Sequence, residues 1–226
     1  MTDPELDNPF WSSLASRHRD VALRVGDVAR FPPEHAPFLG IVDADADVGD
    51  ALESLVAPGE SVYLLGVAPR RVPDGWRLEE LAELAQMVCP ARVESVEGEA
   101  VLPLSEPHRD DVLALTALVY PHYFRARTME LGRYFGIYRE GRLAAMIGER
   151  LGTDRQQEIS AVCTHPDFLG QGHARRLLAW LSNDVLDRGR LPFLHVSRDN
   201  ARAVRLYEQN GYRLRRTIPF WSLQRG

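Results

Sequence analysis

The chain contains no lysine, so all 27 of its basic residues are arginines. This absence excludes Schiff-base chemistry on a lysine and a Walker-type phosphate loop, because both need a lysine amine. Cysteine is also scarce, with only Cys89 and Cys163 in 226 residues. Two thiols without a nearby histidine or cysteine in the sequence exclude a disulfide-based scaffold and argue against a structural zinc site. We therefore expect a reduced protein without a metal.

Long apolar runs are missing as well. No stretch of the sequence approaches the roughly 18 apolar residues that a membrane-spanning helix requires. The first residues, MTDPELDNPFWSS, are acidic and contain no basic segment followed by an apolar core, so no secretory signal is predicted. These absences predict a cytoplasmic protein that does not partner a membrane.

What is present suffices for a core, since 45% of the residues are hydrophobic and 26% are charged. The charge is unevenly distributed. Residues 1–100 carry 8 Arg against 19 Asp and Glu, a net charge of −11, whereas residues 101–226 carry 19 Arg against 13, a net charge of +6. A basic C-terminal half suits an anionic ligand, although an ordinary solvated surface explains the charge equally well. Scattered arginines in an acidic chain argue against nucleic acid as a partner.

Hydrophobic periodicity divides the chain into two regions. Short strand-like and helical segments alternate in residues 1–95, where the segment 76–90 is ambiguous because its composition favours a helix while its end, MVC, suits a strand. The polar, acidic segment 91–100 marks the predicted boundary. The pattern of residues 96–226 predicts, in order, a strand (100–104), a helix after Ser105, a hairpin (134–152), a strand (157–164), a helix, a strand (191–197), a helix (200–211) and a last strand or hairpin (212–223).

A glycine-rich loop, LGQGHA at 169–174, precedes the central helix of the second region. The first backbone amides of a helix lack partners within it and attract anions, and glycine lets a phosphate approach the backbone closely. Alone, this pattern fits an ordinary turn equally well. It does not match the dinucleotide-binding fingerprint, because Arg175 stands where a third glycine or alanine should be.

Together with a second motif further along the chain, this loop is typical of one family. From about Val101 to Leu223 the chain resembles the GNAT superfamily of acyl-CoA-dependent N-acetyltransferases. The family's loop reads Arg/Gln-x-x-Gly-x-Gly/Ala, and here Leu169 replaces the usual Arg or Gln. Downstream, SRDNARAVRLYEQNGYRL is similar to the family's second signature, in which an Asn precedes a helix with Ala and Tyr and then Asn-Gly-Tyr.

The resemblance implies an α/β (α+β) fold with a central, mixed, twisted sheet that is splayed at the CoA site and covered by helices on both faces. The GNAT domain would span residues 96–226. Residues 1–95 would form a smaller αβ region, either a degenerate half-copy of the same fold or a plain extension.

The implied reaction is direct attack of a primary amine on the thioester of acetyl-CoA or another acyl-CoA. A backbone N–H near 161–162 would stabilise the developing oxyanion. Tyr207 would be the general acid, and Glu158 the general base acting through water, with Glu149 as second choice. The implied cofactor-binding residues are Val162, Thr164, Leu169, Gly170, Gln171, Gly172, His173, Ala174, Asn200 and Tyr207.

Plainer roles fit several of these residues. Tyr207 also suits a packed position on an apolar helix face, and Asn200 suits a helix cap. We expect His173 to carry an exposed ring in the first helical turn. Cys163 should face the core rather than carry an acyl group. Four arginines fit the CoA phosphates or a solvated helix face: Arg175, Arg176, Arg202 and Arg205.

The acceptor is not named by the sequence. A small-molecule or peptide amine is expected, bound by walls from residues 105–133 and from the C-terminal strands of a monomer or homodimer. A catalytically silent CoA-binding sensor or interaction module is the alternative.

Overall fold

The structure is a computed structural model that describes residues 3–226. Its helices are α1 (Pro4–Asp7), α2 (Pro9–Ala15), α3 (Gly49–Leu55), α4 (Arg109–Val119), α5 (His173–Asp187) and α6 (Ala201–Gln209). Its strands are β1 (Leu23–Val25), β2 (Val28–Arg30), β3 (Leu39–Ile41), β4 (Ser61–Leu65), β5 (Trp76–Val88), β6 (Leu102–Leu104), β7 (Tyr134–Arg139), β8 (Arg142–Gly152), β9 (Gln156–Thr164), β10 (Leu191–Ser197) and β11 (Arg213–Arg225).

Eight of the strands form one mixed sheet in the order β4-β11-β5-β10-β9-β8-β7-β6. All neighbouring pairs are antiparallel except β9 and β10, which run parallel. The parallel pair extends only from Leu191–Gln156 to Phe193–Glu158, after which the two strands separate. The predicted fold class, a mixed sheet splayed in its middle, is confirmed.

Helices cover both faces of this sheet because neighbouring residues of the strands point to opposite sides. In β8, Met146 packs in the cluster that contains Val112 of α4, whereas Ile147 packs with Leu177 and Leu181 of α5. The apolar stripe predicted for the helix after the glycine-rich loop is therefore the buried face of α5. No helix within residues 3–226 is both long and apolar enough to cross a membrane.

The ambiguous segment 76–90 folds as the strand β5, which lies between β10 and β11 and is antiparallel to both. Its composition favours a helix, but pairing on both edges and burial of residues 85–88 override that weak preference. β4 and β5 come from the predicted N-terminal region, so the sheet continues across the predicted boundary. The division into two domains stays a prediction.

The N-terminal region also packs on one face of the sheet. Leu6 of α1 and Phe10 of α2 share a buried cluster with Val88 of β5, Phe193 of β10 and Phe220 of β11. The small antiparallel sheet β1-β2-β3 and α3 form an adjoining core. Residues far apart in the sequence thus meet over the middle of the large sheet.

Gly40 of β3 should be essential to the fit of α2 against this region. A Cβ atom at this position would lie 2.4 Å from the Trp11 N atom and 2.6 Å from its Cα, both in the backbone of α2. We expect Gly40→Ala to lower the free energy of unfolding in urea by about 1–3 kcal/mol. Gly49→Ala, at the start of α3 with its nearest atom at 3.8 Å, is the control and should stay within about 1 kcal/mol of wild type. Equal effects of the two changes would contradict this account.

Candidate active site

The site lies where β9 and β10 separate, next to an irregularity in β9. Ala161 has a φ of 50°, a backbone conformation that is rare for a residue with a side chain. The register of β8 and β9 shifts at the same place, between the pairs Met146–Cys163 and Gly148–Ser160. This β-bulge bends β9 and helps to open the sheet.

Beyond Glu158, the edge of β9 that faces β10 has no paired strand within residues 3–226. The N–H of His165 donates to the Ala144 carbonyl at 2.8 Å, on the β8 side. Strand alternation therefore directs the N–H groups of Thr164 and Val162 to the unpaired edge. An extended ligand can pair with this edge as an added strand.

The glycine-rich loop ends in the N-terminus of α5. Gly170 and Gly172 both have a φ of 79°, and Gly172 is the N-cap of the helix. A Cβ at either position would meet no atom within 4 Å, so glycine is required for the backbone conformation and not for space. The first turn of α5 contains no acidic residue and its cap makes no side-chain hydrogen bond in the described structure. These amides and the helix dipole are available to an anion.

A groove of about 730 Å³, here called the outer groove, runs from this loop to α6. Every predicted cofactor-binding residue lines it except Gln171, whose Oε1 lies 3.2 Å from Nε2 of His173. Three of the four predicted arginines also line it: Arg175, Arg202 and Arg205. The structure thus brings together the residues of both sequence motifs, while their contacts with a ligand stay predictions.

Two expectations at the start of α5 are wrong. His173 is only 3% exposed, and its Nδ1 lies 3.7 Å from Oε2 of Glu99. Arg176 is turned away from the groove, because its guanidinium donates to the backbone carbonyls of Glu99, at 2.6 Å, and Val96. Both differences arise because the acidic segment 91–100 folds against α5, a tertiary contact that local sequence does not reveal.

A second cavity of about 490 Å³, here called the inner cavity, meets the outer groove at Val162, Asn200 and Tyr207, which line both. Residues 105–133 and the C-terminal strand, the predicted walls of an acceptor site, both line this cavity, while binding of an acceptor there stays a prediction. The N-terminal region contributes further walls that sequence reasoning missed, because isolated aromatic residues carry no motif. Together the main wall residues are Phe10, Phe38, Leu65, Tyr120, Tyr123 and Phe220.

A buried ion pair occupies the closed end of the inner cavity. Glu158 is fully buried, and its carboxylate accepts from Arg150 Nε at 2.9 Å and Arg150 Nη2 at 3.1 Å. The backbone N–H of Leu151 donates to the same carboxylate at 3.2 Å, and Nδ1 of His195 lies 2.8 Å from it. Burial raises the pKa of Glu158, but Arg150 and His195 outweigh it and hold this pKa at about 2.

Hydrogen bonds fix the protonation of His195. Gln86 donates from Nε2 to the Leu6 carbonyl at 2.7 Å and accepts at Oε1 from Arg215 at 2.7 Å, which sets the orientation of its amide. The Nε2 of Gln86 therefore donates to Nε2 of His195 at 3.0 Å. His195 then carries a proton on Nδ1 and donates it to Glu158.

This geometry does not favour the base roles given to Glu158 and Glu149, which stay predictions. Each oxygen of the Glu158 carboxylate already accepts two hydrogen bonds, and its low pKa makes it a weak base. Glu149 is held by Arg133, whose Nε lies 3.1 Å away, and by Arg17 at 3.6 Å. It lines neither the outer groove nor the inner cavity of the described chain.

The remaining candidate side chains are Tyr207, Asn200 and Cys163, and they differ in burial and in hydrogen bonding. Burial raises the pKa of the Tyr207 hydroxyl well above its usual range, so Tyr207 keeps its proton but is a weak acid, and its acid role stays a prediction. The Asn200 Oδ1 caps α6 through the Ala203 N–H at 3.0 Å, which leaves its amide nitrogen for a ligand. Cys163 faces the core as expected, and burial raises its pKa to about 12, which disfavours an acyl-cysteine route. Within residues 3–226, no group of three His, Cys, Asp or Glu could hold a metal ion.

Comparisons with known proteins give a consistent result. The family model described as FR47-like protein matches residues 134–221. A GNAT-family protein from Novosphingobium aromaticivorans DSM 12444, named as an inferred acetyltransferase, is 32% identical, with a TM-score of 0.90 over 100% of both chains. Two GCN5-related N-acetyltransferases share the fold. The one from Kribbella flavida is 16% identical, with a TM-score of 0.62 over 92% of this chain and 93% of that one. The one from Sphaerobacter thermophilus is 13% identical, with a TM-score of 0.55 over 99% of this chain and 94% of that one. No curated protein matches the chain in sequence.

Removing the Glu158 charge should destabilise the fold. In Glu158→Gln the Arg150 cation stays buried without its counter-charge, and we expect the free energy of unfolding at pH 7 to fall by about 3–5 kcal/mol. In the wild type the pKa of Glu158 is lowered on folding, so this stabilisation is complete above its ordinary pKa of 4.5 and is lost as the pH falls toward about 2.

The control for this experiment is Glu83→Gln, which removes an exposed ion pair with Arg198 at 3.7 Å. That change should alter the free energy of unfolding by about 1 kcal/mol or less. Urea titrations of the three chains compare the values. A Glu158→Gln chain as stable as Glu83→Gln would show that the buried pair does not stabilise the fold.

Proposed function

Because this chain belongs to the GNAT family of N-acetyltransferases, we propose that it transfers an acetyl group from acetyl-CoA to a primary amine of a small molecule or peptide. The observation that carries this proposal is the meeting of the outer groove and the inner cavity at Tyr207. One space presents a helix N-terminus and arginines to an anionic cofactor. The other offers aromatic walls to an acceptor.

CoA would lie in the outer groove. The amides of residues 170–174 would bind its pyrophosphate, and Arg175, Arg202 and Arg205 would lie near its phosphates. The pantetheine arm would pair with the free edge of β9 at Val162 and Thr164. The exposed Leu169, in place of the usual Arg or Gln, removes one polar side chain but no backbone amide from this loop.

Acetyl transfer would proceed by direct attack. The nitrogen of the neutral amine forms a bond to the thioester carbon, the C–S bond breaks, and the sulfur leaves with the bonding electrons. A backbone N–H at the bulge of Ala161 and Val162 stabilises the charge on the carbonyl oxygen. Tyr207 protonates the leaving sulfur and regains a proton from solvent water, so that the two proton transfers balance. Because the hydrogen bonds of Glu158 are satisfied, we assign the proton that the amine loses to solvent water.

A cytoplasmic setting fits the two free, buried cysteines. The oligomeric state and the absence of a nucleic-acid partner stay predictions.

The proposal is tested by turnover. The purified protein should release free CoA from acetyl-CoA in the presence of members of a broad panel of primary amines, detected as free thiol and by mass of the acetylated amine. The control omits the amine. Tight CoA binding without CoA release by any amine would overturn the proposed activity and leave a CoA-binding module.

With a working acceptor, Tyr207→Phe should lower kcat about 100-fold, because it removes the proton donor to the leaving sulfur. The KM for acetyl-CoA should change little, since the ring and its packing are kept. Tyr212→Phe is the matched control, because Tyr212 is equally buried and its hydroxyl bonds to Ser182 at 2.7 Å, away from both spaces. An unchanged kcat in Tyr207→Phe would remove Tyr207 as the acid.

Gly172→Ala should weaken CoA binding. A side chain at a φ of 79° costs about 1–2 kcal/mol, and relief of that strain moves the loop amides, so the Kd for CoA should rise about tenfold. Gly189→Ala is the control, because Gly189 has a φ of 72° and open space but follows the other end of α5. Calorimetric titration with CoA compares the variants, and equal affinities would contradict the assigned loop.

A further inference from the structure

Arg150 has unused hydrogen-bond donors at the inner cavity. A guanidinium carries five N–H groups in one plane. Glu158 takes the Nε–H and one Nη2–H, at 2.9 and 3.1 Å. The Tyr120 hydroxyl lies 3.5 Å from Nη1, at the outer limit of a hydrogen bond. One N–H on each terminal nitrogen therefore has no acceptor within residues 3–226.

These two N–H groups of Arg150 are buried, so leaving them without an acceptor is unfavourable. Arg150 is 9% exposed, so bulk water has little access to it, and buried charged donors without acceptors are unfavourable. Its guanidinium lies over the Phe38 ring, with 4.8 Å between Cζ and the ring centroid, which fixes the guanidinium plane. Two parallel N–H groups, one from each terminal nitrogen, match the two oxygens of a carboxylate.

The surrounding charges allow an anion to bind there. Glu158 shares Arg150, but its carboxylate is fully occupied by Arg150, His195 and the Leu151 amide. Tyr120 and Tyr123, whose hydroxyls can donate, line the same cavity.

The position of Arg150 limits the shape of the ligand. Its partner Glu158 lies three residues before Ala161, beside which the proposed function places the thioester, and three residues of a bulged strand span at most about 10 Å. The amine and the anion of an α-amino acid are too close together to reach both points. The cavity that holds Arg150 is also lined by Phe38, Tyr123 and Phe220, so an apolar or aromatic spacer fits it.

We propose that the two unpaired N–H groups of Arg150, one on each terminal nitrogen, bind a carboxylate of the acceptor. The substrates are then molecules in which an apolar or aromatic spacer separates a primary amine from a carboxylate. The role of the amine rests on the proposed function. Carboxylate binding at Arg150 does not, and it is measured separately.

The test uses a matched pair, 4-(aminomethyl)benzoate and 4-(aminomethyl)benzamide, which differ only at the group offered to Arg150. Calorimetry without acetyl-CoA measures binding, and release of free CoA measures turnover. We expect the acid to bind at least tenfold more tightly than the amide and to have the higher kcat/KM. Glycine, whose amine and carboxylate are adjacent, should show neither property.

The two readouts separate the two hypotheses. Tighter binding of the acid, without CoA release by the acid or by any amine of the broad panel, would overturn the proposed function and leave the carboxylate site standing. CoA release at equal kcat/KM, with equal binding of acid and amide, would overturn the carboxylate site and leave the acetyltransferase standing.

Arg150→Lys locates the effect. The lysine keeps the charge beside Glu158 but has no second pair of parallel N–H groups for another carboxylate. The ratio of the affinities for the acid and the amide should therefore fall to less than threefold. Arg70→Lys, in the exposed pair of Arg70 with Asp45, is the control and should keep the full preference. If Arg150→Lys does not fold, a crystal structure with 4-(aminomethyl)benzoate decides. A carboxylate more than 4 Å from both terminal nitrogens of Arg150 would overturn the proposal.

Discussion

The parallel pairing of β9 and β10 ends at Glu158, and both spaces of the site exist because of that ending. Three neighbouring strands meet there through side chains, since Arg150 lies on β8, Glu158 on β9 and His195 on β10. Gln86 of β5 extends the connection to a fourth strand. The hydrogen bonds of this buried network tie the strands that carry its members to one another. It therefore holds the closed end of the split in one arrangement while the other end stays open.

The same network ties the N-terminal residues to the site. Gln86 donates to the Leu6 carbonyl, and Arg215 of β11 bonds to both Gln86 and Asp7. Phe10 and Phe38 then wall the inner cavity. The first part of the chain is thus a structural component of the inner cavity.

Local signals in the sequence were enough to predict the loop and the helix that line the outer groove. Gly170 and Gly172 adopt the left-handed backbone that the loop motif requires, and Asn200 caps the helix that carries Tyr207. The inner cavity depends on contacts between distant segments, so the residues that line it carry no local signature. β5 has a helical composition but is a strand because two neighbours pair with it, and Arg150 became recognisable only through the position of Glu158.

Val162, Asn200 and Tyr207 form a wall common to the outer groove and the inner cavity. A thioester bound along the free edge of β9 would cover part of that wall and so present a new surface to the acceptor. Each substrate then helps to complete the binding site of the other. By thermodynamic reciprocity, whatever affinity the acceptor gains from a bound donor, the donor gains equally from a bound acceptor.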